Sequence, residues 1–227
     1  MLPMQGGCWL CHTPLSLTQQ GLCSYCLRAL PPLPLCCPRC GLPAGDALLP
    51  CGRCLHRPPP WQQLVAVSDY RPPLSTLLAR YKFSGVTALS VMLARLILLS
   101  WLTARRQRGL PRPDILLAVP LHHQRAWRRG FNQADLLARP LSRWLGCAWS
   151  PQGVTRRRAA LLQHQLTARQ RRKNLRGAFQ LEIAVQDRHI ALIDDVVTTG
   201  STVAEISRLL MRAGAASVQI WCLCRTL

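Results

Sequence analysis

Four Cys-x-x-Cys pairs crowd the first quarter of the chain: Cys8 with Cys11, Cys23 with Cys26, Cys37 with Cys40, and Cys51 with Cys54. Eleven residues separate the first two pairs and ten separate the last two. A two-residue spacer lets a tight turn aim both sulfurs at one ion, and two such turns complete a tetrahedral four-thiolate site with Zn–S distances of about 2.3 Å. The spacing therefore predicts two zinc ions. Sequential pairing, Cys8, Cys11, Cys23 and Cys26 on one ion and Cys37, Cys40, Cys51 and Cys54 on the other, closes the shortest loops; interleaved pairing satisfies the same spacing. Sites closed by four cysteines leave no open coordination position, so the expected role is structural. A module of only sixty residues buries little core of its own, and metal binding worth on the order of 10 kcal/mol per site would supply the missing folding free energy.

Disulfides are the competing reading of so many cysteines. The start, Met-Leu-Pro-Met-Gln-Gly-Gly-Cys, has neither the basic residues nor the apolar run of an export signal, so a reducing, cytoplasmic setting is expected. Redox dithiols would need one pair rather than four. Cys36 reads as a bystander next to Cys37, Cys147 has no nearby partner in the sequence, and Cys222 and Cys224 alternate with Trp221 and Leu223 as buried thiols would.

The composition changes abruptly at His56-Arg57-Pro58-Pro59-Pro60-Trp61. That proline run divides the chain into a cysteine-rich module, residues 1–60, and a domain spanning residues 61–227. In the second part, strands are expected over residues 64–70, 115–119, 190–193 and 217–224, and helices over 74–83, 86–106, 132–145 and 201–212. Strands separated by helices predict an α/β fold whose mainly parallel sheet is flanked by helices, with ligands at the carboxyl ends of the strands. Residues 86–104 are nearly long enough to span a bilayer, but Arg95 and several hydroxyl residues make a packed amphipathic helix the better reading.

Lys and Arg outnumber Asp and Glu by 29 to 9, a formal charge of +20, so the field of the molecule attracts polyanions. Residues 155–176 hold eight of these cations and no acid, which predicts an exposed excursion.

The sharpest chemistry lies in His189-Ile190-Ala191-Leu192-Ile193-Asp194-Asp195-Val196-Val197-Thr198-Thr199-Gly200-Ser201-Thr202. A buried strand runs into two carboxylates, then a turn of small hydroxyl residues, then a helix. Backbone N–H groups of such a turn, reinforced by a helix N-terminus, cradle a phosphate, and Gly200 permits close backbone approach. Two carboxylates beside a phosphate would repel it unless they face another part of the ligand. Vicinal ribose hydroxyls are suitable donors to them, which points to a ribose phosphate. The bland account of Thr202 and Glu205 is a capping box. No G-x-x-x-x-G-K-[ST] occurs, which disfavours a nucleoside-triphosphatase loop.

Residues 193–202 resemble the phosphoribosyl pyrophosphate loop of type I phosphoribosyltransferases. Val119-Pro120-Leu121, Arg125, Arg128-Arg129-Gly130-Phe131-Asn132-Gln133, Gln163, Leu166, Arg171-Arg172, Asn174 and Ala178-Phe179, with the cysteine-rich head, resemble the ComF/GntX branch of that family. The resemblance implies that Asp194 and Asp195 contact ribose hydroxyls as the catalytic carboxylates. It also implies that Val196, Val197, Thr198, Thr199, Gly200, Ser201 and Thr202 hold the phosphoribosyl group, and that Mg2+ accompanies the pyrophosphate. Arg125, Arg128 and Arg129 would bind pyrophosphate through guanidinium forks. Arg171 and Arg172 belong to the basic stretch that would close over the substrate, and Lys82 is a weaker candidate of the same kind. Taken alone, an arginine cluster in so basic a chain is more often a solvated face.

Two functions follow from the resemblance. One is an enzyme that displaces pyrophosphate at ribose C1 with an unspecified acceptor. The other is a DNA-handling protein in uptake or utilisation of external DNA, with single-stranded DNA or the DNA-uptake machinery as partners. No residue stands out as a general base or an acceptor pocket. Trp61, Trp101, Trp127, Trp144, Trp149 and Trp221 are candidate stacking platforms for the DNA reading, although tryptophan is more often packing.

Overall fold

Five strands share one sheet, and every pairing in it is parallel, in the order β1-β7-β6-β2-β3. They are β1 (Gln63–Asp69), β2 (Ile115–Ala118), β3 (Ala148–Ser150), β6 (His189–Val197) and β7 (Ser217–Arg225). A separate antiparallel ribbon joins β4 (Val154–Arg156) to β5 (Phe179–Leu181). The helices are α1 (Ser24–Arg28), α2 (Gly52–His56), α3 (Leu74–Phe83), α4 (Leu89–Arg108), α5 (Gln133–Leu145) and α6 (Ser201–Arg212). This computed structural model describes residues 6–17, 20–121, 130–157, 175 and 177–227. The expected sheet flanked by helices is what forms.

Parallel neighbours need crossovers, and the helices that make them cover both faces of the sheet. Leu77, Leu78 and Tyr81 of α3, Leu93, Ile97 and Trp101 of α4 and Leu137 and Leu141 of α5 pack on one face with Ala191 and Ile193 of β6. Val203, Ile206 and Leu210 of α6, with Val154 and Phe179 of the ribbon, pack on the other with Ile190 and Leu192. The alternation along β6 is the two-residue period of a strand buried on both sides.

The cysteine-rich segment does not stand apart from this core. Cys8, Leu15, Leu22 and Cys26 belong to the same cluster as α3 and α4. Arg80 lies over the Trp9 ring at 5.8 Å and donates to the Trp9 carbonyl at 3.4 Å. Gly21, at φ 69°, sits so close to α4 that a Cβ would stand 2.4 Å from Met92 Cγ. Arg95, the charge that argues against a membrane span, donates to the Gln20 carbonyl at 3.4 Å. Among the described residues no helix is long and apolar enough to cross a membrane.

Three expectations need correction. Helix α4 begins at Leu89 rather than residue 86 and runs to Arg108, where Gly109 in the left-handed region ends it. Strand β6 continues four residues past Ile193, so both carboxylates lie within it. The basic excursion, expected to be exposed from residue 155, begins instead in a half-buried strand, because Val154–Arg156 pairs with Phe179–Leu181 just past its far end; residues 158–174 and 176 lie outside the described ones.

Leu192 is fully buried at the centre of the sheet. Leu192→Ala is expected to lower stability by about 2–5 kcal/mol, the usual range for a truncated core leucine, read as a fall in the urea midpoint with an unchanged slope.

Candidate functional site

The carboxyl end of β6 places its side chains by strand geometry. Asp195 shares its parity with Ala191 and Ile193, so it faces α3, where its Oδ2 meets Lys82 Nζ at 2.9 Å. The two side chains are only 14% and 13% exposed, so the pair is shielded from solvent. Lys82, a candidate for pyrophosphate from the sequence, is thus already engaged by a carboxylate of the same site. Asp194 has the opposite parity, and its Oδ1 accepts from the Asp195 N–H at 2.8 Å. Burial foremost, and then the Asp195 charge, push the Asp194 carboxyl up to about 8; the Asp195 N–H and Lys82 act against that rise.

Beyond Val197 the chain turns in three residues into α6. Thr198 and Thr199 are exposed, and Gly200 stands at φ 73°, in the region that favours glycine. Thr199 Oγ1 and Ser201 Oγ are 2.9 Å apart, with the Ser201 N–H 3.4 Å from Thr199 Oγ1. The capping box is not formed. Gly200 is the N-cap, no side chain caps the helix, and Glu205 instead accepts from the Gly177 N–H at 3.2 Å and pairs with Arg208 at 2.9 Å. The first turn of α6 therefore presents its N–H groups and hydroxyls to whatever sits above the turn.

The neighbouring strand brings a second loop to the same end of the sheet. Val119, just past β2, donates to the Ile193 carbonyl at 2.9 Å, and its own carbonyl accepts from Asn132 Nδ2 at 3.1 Å. Asn132 also caps α5 by accepting from the Ala134 N–H. Buried Tyr81 donates to the Gln133 carbonyl at 2.9 Å, so α3, which carries Lys82, is tied to the start of α5. Arg125, Arg128, Arg129, Arg171 and Arg172 lie outside the described residues.

The eight paired cysteines gather as two groups, Cys8, Cys11, Cys23 and Cys26, and Cys37, Cys40, Cys51 and Cys54, with all ligand atoms of each group within 4.8 Å of one another. Thiolates about 2.3 Å from a tetrahedral ion stand about 3.8 Å apart. Cys11 and Cys23 sulfurs are 3.7 Å apart, and Cys40 and Cys51 sulfurs 3.8 Å, far beyond a disulfide's S–S length of about 2.05 Å. Backbone N–H groups of Cys23 and Cys51 point at Cys8 and Cys37 sulfurs at 3.4 and 3.3 Å, as suits thiolates. The Thr13 hydroxyl and N–H bring the Cys11 thiol down to about 6. Burial acts upward on Cys37, but the N–H groups of Cys51, Cys40 and Arg39 outweigh it and bring the thiol down to about 7. Both groups can hold a metal ion, and Cys36 belongs to neither.

Residues 134–227 match the model of the phosphoribosyl transferase domain family. The chain is similar to DNA utilization protein YhgH of Salmonella typhi, 59% identical over all 227 residues of both, and of Escherichia coli K12, 58% identical over the same span. It is also 40% identical to Competence protein F of Haemophilus influenzae, over 96% of each chain. The chain belongs to the ComF family. A solved purine phosphoribosyltransferase from Pyrococcus horikoshii is similar over 59% of this chain and 72% of its own, at TM-score 0.36 and 16% identity.

Two features of this ComF protein escape a reading of its sequence. Arg225 closes the most buried strand, and its guanidinium reaches the carbonyls of Cys40, Val197 and Thr198. A lone cation at the end of an apolar strand was the available signal. The tryptophans fare differently from the stacking reading. Trp61, Trp101 and Trp221 are buried, Trp149 donates to Asp135 at 3.0 Å, only Trp144 is exposed among the described ones named above, and Trp127 lies outside them.

Two outcomes are expected. Metal analysis of the wild type yields two ions per chain, Cys36→Ser keeps two, and Cys54→Ser keeps one. For Asp194, a folded-state value near 8 against an ordinary 3.8 means the folded chain holds the extra proton between those limits, so stability attributable to this group falls as pH rises from about 4 to 8. Asp194→Asn removes that loss, and its melting-temperature advantage over wild type should grow across this window and level off above it.

Proposed function

We propose that this protein binds phosphoribosyl pyrophosphate with Mg2+ at the carboxyl end of β6, carries two structural zinc ions, and serves in the cytoplasm in the utilisation of external DNA. One observation carries the ligand reading: a carboxylate pair at a sheet edge leads through a glycine-hinged hydroxyl turn into a helix N-terminus, with Val119 of the adjoining loop hydrogen-bonded alongside. The positive end of α6 favours the 5′-phosphate above residues 198–202, and the carboxylates favour ribose hydroxyls. Lys82 compensates the Asp195 charge, and Asp194 holds its proton up to about pH 8, so the site does not confront an anionic ligand with two bare negative charges. Mg2+ would be held mostly by pyrophosphate oxygens and water, with no protein cage required.

Zinc fits both cysteine groups because soft thiolates in tetrahedral array select it, and a closed set of four gives it a structural place. The pathway reading rests on full-length similarity to proteins named for DNA utilisation and competence. In the domain organisation we favour, residues 1–60 form the zinc module and 61–227 the phosphoribosyltransferase-like domain. The enzyme and the non-catalytic, single-stranded-DNA reading share this ligand site; the +20 charge suits the latter as well.

Calorimetric titration of the zinc-loaded protein with phosphoribosyl pyrophosphate and Mg2+ tests the site. Asp195→Asn alone would strand the Lys82 ammonium, so the informative variants are Asp194→Asn and the charge-neutral pair Asp195→Asn with Lys82→Met. Titrated above pH 8, where Asp194 is ionised, each should weaken binding roughly ten- to hundredfold, the worth of a hydrogen bond to a charged group at about 1.5–3 kcal/mol. Absence of binding by the folded wild type would sink the ligand reading. DNA affinity that falls steeply with salt in that same protein would then favour the polyanion binder.

A further inference from the structure

The second cysteine group and the phosphate turn are joined by a buried cation. Arg225 is 6% exposed, and among the described residues no carboxylate pairs with it. Its Nε donates to the Cys40 carbonyl at 2.9 Å, and its Nη1 serves the carbonyls of Val197 at 3.1 Å, Thr226 at 2.9 Å, and Thr198. A guanidinium taken out of water is tolerated only when its donors are satisfied, so these carbonyls and the cation hold one another in place.

The direction of those carbonyls decides what the turn offers. A trans peptide is planar, with its C=O and the following N–H pointing opposite ways. Tying the Val197 and Thr198 carbonyls inward to Arg225 turns the N–H groups of Thr198 and Thr199 outward, to the side where an anion would sit.

The other end of the link is set by the cysteine turn. Cys37 and Cys40 flank a tight turn closed by Gly41 N–H to Cys37 carbonyl at 2.9 Å, with Gly41 at φ 68°. A Cβ on Gly41 would stand 2.6 Å from Leu64 Cδ2 and 3.3 Å from Arg225 Cγ, so this turn packs directly on the arginine stem. A second strut runs alongside: Trp61 Nε1 donates to the Arg39 carbonyl at 2.6 Å, and the far edge of its ring lies 3.3 Å from where a Gly200 Cβ would be. The first cysteine group has its contacts elsewhere, on α3 and α4 through Trp9, Gln20 and Gly21.

We propose that Arg225 is a positioning residue through which the second four-cysteine centre orders the phosphate turn, so that a metal ion on Cys37, Cys40, Cys51 and Cys54 prepares residues 198–202 for an anionic ligand. The consequence for ligand binding rests on the phosphoribosyl pyrophosphate reading; the link itself is measurable without any ligand.

The test is amide hydrogen exchange on the full chain, free of phosphate compounds, read at Thr226 and Ala204, whose N–H groups bond to the Val197 and Gly200 carbonyls. Arg225→Gln with both metal ions retained, and Cys54→Ser with the second lost, should each speed exchange there by about fivefold or more, the lower end of ordinary coupling between sites. Amides of residues 190–193 should keep wild-type protection. Arg225→Lys, a point cation without the fork, should fall between. Cys26→Ser, which opens the first centre, should leave both reporters unchanged. Wild-type exchange at both reporters in metal-depleted Cys54→Ser, or equal acceleration in Cys26→Ser, would overturn the proposal, and this pair decides it even where Arg225→Gln does not fold. A wild type whose turn shows the coupling but binds no phosphoribosyl pyrophosphate would instead overturn the ligand reading alone.

Discussion

Strand β6 is hydrogen-bonded in parallel to β2 on one side and β7 on the other, with both faces under helices. A strand held on both edges has no freedom of register, and one buried on both faces admits charge only where it leaves the sheet. Asp194 and Asp195 follow the last residue paired with β2, Ile193, while β6 still runs beside β7, and the alternation of the strand sends one toward Lys82 and the other away from it. The turn at residues 198–200 and the N-terminus of α6 inherit their place from that end of the strand. The site is the end of the core rather than an addition to it.

The cysteine-rich segment obeys a different constraint. It builds no core of its own: Leu15 and Leu22 are buried with α3 and α4, while Leu17, Tyr25, Leu35, Leu48, Leu49 and Leu55 stay exposed. Each cysteine group closes a loop that the chain could not close by burial, and each half of the segment then stands on a different part of the domain. The first rests on α3 and α4, the second on the start of β1 and the end of β7, where Leu64 donates to the Pro38 carbonyl at 2.9 Å. That placement brings the second group within one arginine of the phosphate turn.

Much was legible in residue order because the physics involved is local. Cys-x-x-Cys spacing bounds where sulfurs can go, and the change from an apolar run to Asp-Asp to small hydroxyls to a helical pattern describes a strand edge and its exit. Helix α3 and helix α6 have the bounds that their periodicity predicts. The errors came where a non-local partner outranked the local signal. Thr202 and Glu205 have capping-box spacing, but Glu205 is drawn off by Gly177 and Arg208. The ribbon of β4 and β5 pairs residues more than twenty positions apart, each strand too short to show a period. Trp101 and Trp221 share Gln219 as acceptor and lie with their ring centroids 5.0 Å apart, a buried arrangement that no window of sequence contains.

By itself, the sequence determined the number and spacing of thiols, the alternation of strands and helices, and the chemistry of residues 194–202, since each depends on neighbours along the chain. Only the tertiary structure decided that Lys82 faces Asp195, that the cysteines group sequentially, and that Arg225 reaches the carbonyls of both Cys40 and Val197. Those contacts join residues far apart in the chain, and their existence depends on how crossovers and loop ends are stacked around one sheet, a geometry that burial and hydrogen bonding select collectively.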